Sequence, residues 1–390
     1  MSYRYAVLGA GRQGLSAAYD MGRFGEASEI VLYDMNPEVA QAGARKLNSL
    51  LATGIFKGRS LDATDRTQLS QALAGIDAAL SAVPYHMNPL ITEIAIKCGS
   101  SLCDLGGHTD TVREQLRQND AAQKAGVTIT PDCGMGPGLN ISMGVLAMSL
   151  IENPEEVLIW DGGLPQNPKP PWNYLLTFNI NGLTNEYYGD AWFLRDGKVT
   201  AVPSLSEREM LDFPPPLGKL EAAVTSGGLS TAPWTFAGKL QRLENKTLRY
   251  PGHWDQFQAY QQLGLFEEKP VSVNGSAMSP RKFYHALLEP QITADHIQDI
   301  CVIRTQCNGI SKGKPASCTL ELTETYAPET GFTAMEKLTG WHASIVAILS
   351  ARGEIPRGAV PVELALTGEA LTREGPKRGW EFKTRTALTS

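Results

Sequence analysis

Three glycines stand at the spacing G-x-G-x-x-G in Gly9-Ala10-Gly11-Arg12-Gln13-Gly14. The first allows a tight turn, the second lets backbone approach a pyrophosphate, and the third lets a helix pack closely on a strand. A helix opening there points free N–H groups at the phosphates. Asp34 follows Gly14 by 20 residues. A carboxylate at that distance accepts from ribose hydroxyls and repels a 2′-phosphate, so NAD is favoured over NADP. Arg12 argues the other way, since a cation beside the loop could grip that phosphate. Asp62-Ala63 falls where an adenine ring would be met, although Asp62 reads equally as a loop cap.

Ala82-Val83-Pro84-Tyr85 and Asp104-Leu105-Gly106-Gly107-His108 end two further apolar runs. Ligands of open α/β sheets bind at such strand ends. These residues should line the nicotinamide end of a bound dinucleotide. Asp104 and His108 supply a carboxylate and an imidazole, the usual groups of acid–base catalysis. A helix-capping or ribose-binding aspartate and a surface-loop histidine are their structural alternatives. Cys133 has no visible neighbouring base and reads as a packed cysteine rather than a nucleophile. Arg249 and His253 lie far down the chain in Thr247-Leu248-Arg249-Tyr250-Pro251-Gly252-His253. An arginine fork can hold a substrate carboxylate, with a structural arginine as the alternative.

These residues need elements to position them. Strand-like runs at 3–8, 29–33, 55–59, 77–83, 101–105 and 127–130 alternate with helical stretches at 12–24, 37–51, 67–73, 88–97 and 110–125. Such alternation predicts a parallel sheet with helices on both faces. After Gly134-Met135-Gly136-Pro137-Gly138 the pattern changes. Pro137 suits the first turn of an apolar helix over 139–151. Strand-like runs at 157–160, 175–180, 192–194, 271–273, 301–307 and 318–325 then predict a second, mixed α+β domain with an open sheet. Dimerisation is a common cover for such a sheet. The run 341–349 is apolar on nearly all sides and predicts a buried helix returning to the first domain.

Composition narrows the class. The chain has 390 residues, 42% hydrophobic and 19% charged, which is globular composition for two or three domains. Its net charge is −6 with no basic run, a poor fit to nucleic acid or an anionic membrane. No stretch reaches the roughly 18 unbroken apolar residues of a membrane span. The N-terminus lacks the apolar core of a secretion signal. Six cysteines form no C-x-x-C, no zinc spacing and no disulfide framework, so no metal is expected. The expectation is a cytoplasmic protein.

Longer motifs carry a resemblance. Asp104-Leu105-Gly106-Gly107-His108, Pro131-Asp132-x-Gly134-x-x-Pro137-Gly138 and Gly162-Gly163-Leu164-Pro165 look like the saccharopine dehydrogenase-like proteins. So do Val202–Glu207, Thr225-Ser226-Gly227-Gly228 and Lys246–His253. Within that family the chain is most similar to the L-lysine 6-dehydrogenase branch. The resemblance implies an α/β fold. A Rossmann-type doubly wound domain over 1–136 and 338–390 is expected, with an α+β substrate and dimerisation domain over 137–337. It places Gly9, Gly11, Arg12, Gln13, Gly14, Asp34, Asp62, Ala63, Val83 and Asp104 on the cofactor. Pro84, Tyr85, Ser226, Gly227, Thr247, Arg249 and His253 would face an amino-acid substrate. The implied reaction is NAD-dependent oxidative deamination of the lysine ε-amine, with Asp104 or His108 as base, in a homodimer or larger homo-oligomer. Saccharopine formation or cleavage, and a carboxyspermidine-type reductive condensation, are the near alternatives. A non-catalytic NAD-binding sensor is the alternative of another class.

Overall fold

In a computed structural model, residues 2–388 are described. The first third runs β1 (Tyr3–Leu8), α1 (Arg12–Phe24), β2 (Ala27–Asp34), α2 (Pro37–Leu51), β3 (Phe56–Ser60), α3 (Arg66–Leu73), β4 (Ala78–Ser81). It continues α4 (Asn88–Cys98), β5 (Ser101–Asp104), α5 (Thr109–Leu116), α6 (Asn119–Ala125) and β6 (Thr128–Thr130). Pairing is parallel throughout, in the order β6-β5-β4-β1-β2-β3. The strand pleat explains the apolar runs. Along β1, Tyr5 and Val7 enter one core while Ala6 and Leu8 enter another on the opposite face. Both faces are covered by helices, which is the expected doubly wound arrangement.

The expected helix 110–125 is two helices, because the chain breaks at Arg117–Gln118. Pro137 does not enter the helix it was expected to open. It lies outside α7 (Leu139–Ser149), whose N-cap is Gly138 with φ +137°.

The remainder builds a nine-stranded mixed sheet. Its elements run β7 (Asn153–Pro165), α8 (Ile180–Glu186), β8 (Asp190–Arg195), β9 (Lys198–Pro203), β10 (Glu209–Asp212), β11 (Lys219–Val224), α9 (Ala232–Thr235) and β12 (Arg242–Arg249). Then come α10 (His253–Gln262), the hairpin β13 (Val271–Val273) and β14 (Ser276–Met278), α11 (Pro280–Ile292), β15 (Asp299–Ser311) and β16 (Lys314–Thr325). The chain closes with α12 (Ala334–Arg352), β17 (Gly358–Ala359), α13 (Val362–Ala365), α14 (Gly368–Glu374) and β18 (Lys383–Leu388).

One expected strand, 175–180, is absent. Tyr174, Leu176 and Ile180 instead plug a core of Tyr187, Trp254 and Phe257. A short apolar run satisfies either a strand or a packed coil, and here tertiary packing decided.

Helix α12 is buried along nearly its whole length and packs on α1, β4, β5 and β15. Gly340 permits this: a Cβ there would lie 2.8 Å from the Ala17 nitrogen of α1. Both carboxylate oxygens of Asp299 accept from the Ala334 and Met335 N–H groups, at 2.6 and 2.9 Å, and so hold the helix start on β15. Helix α12 therefore packs against elements of both sheets. Strand β17 extends the parallel sheet beside β6, whereas β18 pairs antiparallel with β16 in the second sheet. The expected span 338–390 is thus shared between domains. Residue 1 and residues 389–390 of the expected spans lie outside the described residues. A buried ion pair locks the tail, with Arg378 donating to Asp20 of α1 at 2.7 and 2.9 Å.

Candidate functional site at the junction of the two sheets

The loop Gly9–Gly14 leaves β1 and opens α1, as its spacing predicts. Gly9 has φ +102°, and a Cβ would sit 2.7 Å from the Ala82 carbonyl oxygen. A Cβ on Gly14 would lie 2.0 Å from the Gly9 carbonyl oxygen. Gly11 differs, because among the described residues beyond its chain neighbours nothing lies within 4 Å of its Cβ position. The first turn of α1 has N–H groups with no partner inside the helix, and buried Gln13 Oε1 has no hydrogen-bond partner. An open glycine and free amides fit a pyrophosphate group, whereas the orphaned Gln13 acceptor calls for a donor such as a hydroxyl.

Asp34 closes this end. Its oxygens accept from the Ala10 and Asn36 N–H groups, both at 3.0 Å, which aims the carboxylate beside the loop. Arg12 donates through Nε to Glu336 of α12 at 2.5 Å. Next to that pair is a cavity of about 410 Å³, also lined by the 295–298 segment, Tyr326 and Thr333. Asp62 accepts from the Thr64 N–H and hydroxyl at 2.8 and 2.6 Å. Those bonds hold its carboxyl below the usual range, so it caps its own loop. Ala63 is buried beside it.

Val83, Pro84 and Tyr85 follow β4, and Asp104 ends β5, so the strand ends meet as expected. Tyr85 and His108 stack, with ring centroids 5.0 Å apart and planes within 4°. His108 is exposed, and its Nδ1 lies 3.3 Å from the Thr111 hydroxyl. Asp104 is only 1% exposed. Its oxygens accept from Asp132 N–H at 3.1 Å and Gln115 Nε2 at 2.7 Å. Burial raises its pKa to about 6. Asp132, with φ +62°, accepts in turn from the Gly107 N–H at 3.1 Å. Burial and the neighbouring Asp104 raise Asp132 to about 7. Asp104 therefore sits beneath the Gly106–His108 loop and holds it through Asp132, while the His108 ring faces out. Cys133 is fully buried with its thiol pKa raised well above the ordinary value, which suits packing and not nucleophilic attack.

The second domain brings its own residues to this junction. Thr109 lines one pocket with Trp192, Thr225 and the 227–230 turn. Asn140 of α7 donates to the Gly228 carbonyl at 2.9 Å. Ser226 is tied to the end of α8: its N–H donates to the Glu186 carbonyl at 2.8 Å and its hydroxyl to the Asn185 carbonyl at 2.7 Å. Thr247 pairs with Thr225 through their hydroxyls at 2.7 Å.

Along β12, Asn245, Thr247 and Arg249 share one face by strand alternation, and Asp161 of β7 lies in register with Thr247. Asn245 donates to Asp161 at 2.6 Å. Arg249 is 3% exposed. Its Nε donates to the Tyr187 hydroxyl and another nitrogen to the Leu248 carbonyl, both at 2.9 Å. The rings of Tyr174, Tyr187 and Trp254 lie 5.1–5.9 Å from its guanidinium carbon. Its outer nitrogen is 3.8 Å from a Glu186 oxygen.

His253 does not reach out as its place in the motif suggested. It is 1% exposed, stacked on Phe257, with Nε2 3.0 Å from the Tyr187 hydroxyl. Burial and the nearby Arg249 push its pKa well down, so it is a neutral support behind Tyr187. Glu186, Asp161, Asn245, Tyr174 and Tyr187 had not been singled out. They stand on separate elements, and no local spacing marks them.

Comparison with known proteins agrees with this architecture. The family model for the saccharopine dehydrogenase NADP binding domain matches residues 5–130, and that for the saccharopine dehydrogenase C-terminal domain matches residues 134–373. The glutamate-forming, NADP(+) saccharopine dehydrogenase of Saccharomyces cerevisiae is 25% identical over 177 residues, 44% of this chain and 39% of that protein. The mitochondrial alpha-aminoadipic semialdehyde synthase of Bos taurus is 26% identical over 245 residues, 60% of this chain and 25% of that protein. The matches thus span well under two thirds of either relative. In structure, the apo saccharopine dehydrogenase (L-Glu forming) of Saccharomyces cerevisiae superposes with TM-score 0.78 at 18% identity, covering 99% of this chain and 100% of the other. That likeness speaks for the fold.

Proposed function

The chain belongs to the saccharopine dehydrogenase family, and from that premise we propose that it is an oxidoreductase that oxidises the terminal amine of L-lysine with NAD. The balanced reaction takes lysine as its ε-ammonium, NAD+ and water to 2-aminoadipate 6-semialdehyde, NADH, ammonium and a proton. One observation carries the choice of substrate. Arg249 is buried with two carboxylates near it, Glu186 at 3.8 Å and Asp161. That surplus of negative charge suits a substrate with one carboxylate and two ammonium groups. Saccharopine would bring further carboxylates in need of cations.

Bound dinucleotide would supply the hydride acceptor. Gly11 and the α1 amides would hold its pyrophosphate and Asp34 its ribose. Asp34 also supports NAD over NADP, and Arg12 is already engaged by Glu336. Arg249 would hold the α-carboxylate. His108 would take the ε-ammonium proton, because only a neutral amine can push hydride from its carbon. Nδ1 accepts from the Thr111 N–H at 3.4 Å, so Nε2 would act as base only in the tautomer where Nδ1–H turns to the Thr111 hydroxyl. Asp104 would position that loop rather than touch substrate. A lysine ammonium titrates near about 10.4 in water, so activity should rise above neutral pH.

The similarity to saccharopine dehydrogenases favours a second reading, cleavage of saccharopine with NADP. Purified protein given NAD or NADP with lysine or saccharopine separates them. Equal NADH and ammonia from lysine supports the first. Glutamate or 2-oxoglutarate release from saccharopine without ammonia replaces it. Assembly as a homodimer belongs to the same proposal, and sedimentation at working concentration tests it.

A further inference from the structure

We propose that Glu186 is a specificity-determining residue that binds the substrate's α-ammonium, and so restricts this site to α-amino acids. The inference rests on the reading that Arg249 receives the α-carboxylate. Two of the Arg249 donors are already committed, Nε to Tyr187 and one terminal nitrogen to the Leu248 carbonyl. The edge left for a ligand is the outer nitrogen, and Glu186 Oε2 lies 3.8 Å from it. An amino acid docking there through its carboxylate carries its ammonium one carbon away, within reach of that glutamate.

Glu186 is held to meet it. It ends α8, and its carbonyl and that of Asn185 are both bonded by Ser226. Its side chain is 29% exposed beside the 3% of Arg249, so the glutamate is the more accessible of the pair. No hydrogen bond among the described residues reaches that carboxylate, in contrast to Asp161, which accepts from Asn245 at 2.6 Å. Burial accordingly raises Glu186 to about 7, despite the nearby Arg249. An ammonium placed against it would remove that penalty.

The test compares L-lysine with 6-aminohexanoate, which lacks only the α-amino group, in wild type and Glu186→Gln. Wild type is expected to prefer lysine, and E186Q to lose about 100-fold in kcat/KM for lysine, mostly through KM. Turnover of 6-aminohexanoate should stay within about threefold. Glu186→Asp, which keeps the charge, should recover part of the loss. Equal losses on both substrates, or none on lysine, would overturn the proposal. Calorimetric binding of L-2-aminoadipate against adipate to the NADH-loaded protein separates this from the broader reading. A wild type inactive on lysine whose preference for L-2-aminoadipate vanishes in E186Q would sink the lysine reading and leave Glu186 in its role. Active wild type with unchanged discrimination in E186Q would sink the Glu186 role alone.

Discussion

At the first-domain end the proposed contacts come mainly from backbone: the Gly9–Gly14 turn, the opening amides of α1, and a strand-end loop held by Asp104 and Asp132, with Asp34 and His108 as the side chains. At the second-domain end they are made by side chains. Arg249, Glu186, Asp161, Asn245 and Tyr187 come from β12, α8 and β7 and from the residue after α8. A backbone site needs glycines and little else, and its groups stay solvated until a ligand arrives. A side-chain site must first remove an arginine from water. Aromatic faces, one hydroxyl, one carbonyl and a flanking carboxylate offset that cost here. The first end can therefore serve any dinucleotide reaction, while selectivity has to be written into the second.

This contrast can be broken by mutation. Gly14→Ala should have the largest effect, because its Cβ would lie 2.0 Å from a backbone oxygen. A loss of about 3 kcal/mol or more is expected in denaturant unfolding. Gly11→Ala is its control. Nothing crowds that position and its φ is −73°, so stability should change by less than about 0.5 kcal/mol. NAD affinity should nevertheless fall at least tenfold, or about 1.4 kcal/mol. Unchanged affinity in Gly11→Ala would mean that the open glycine is not a phosphate cradle.

Arg249→Lys probes the other end. An ammonium cannot serve Tyr187, Leu248 and a ligand carboxylate in one plane. KM for the amino acid should rise about 100-fold, near 2.7 kcal/mol, with NAD affinity unmoved. A parallel loss of NAD binding would show that the two ends are not separable.

A further test concerns the seam between them. His342 of α12 is buried, bonded to the Cys133 carbonyl at 2.8 Å and to Ser142 of α7 at 2.9 Å. Burial lowers its pKa from 6.5 to about 4. The unfolded chain therefore binds a proton in this window and the folded chain does not. Stability is full above pH 6.5 and is lost as pH falls toward 4, by about 2 kcal/mol at pH 5. His342→Gln should flatten that part of the melting-temperature profile. An unchanged slope would place the acid sensitivity elsewhere.

Legibility follows the same division. Six strands of the first sheet could be read off one by one, because parallel strands buried on both faces are apolar runs and the helices between them carry their own period. Strand β17, two residues long and far along the chain, could not be. The glycine turn was legible too, since its geometry is dictated by glycines five residues apart at most. Arg249 was found through its motif, but the same motif suggested His253, which tertiary packing turned into a buried support. The run 175–180 failed as a strand because its apolar residues satisfy a core without pairing. By itself, then, the sequence determined the dinucleotide half, the glycine turn and the presence of a second domain, all of which depend on neighbours within a few residues. Only the tertiary structure decided that β18 leaves the first domain for the second sheet. It alone decided that Asp104 lies beneath its loop and that Glu186 stands beside Arg249. These are contacts between residues far apart in the chain, and what selects them is shape and burial, which no local spacing records.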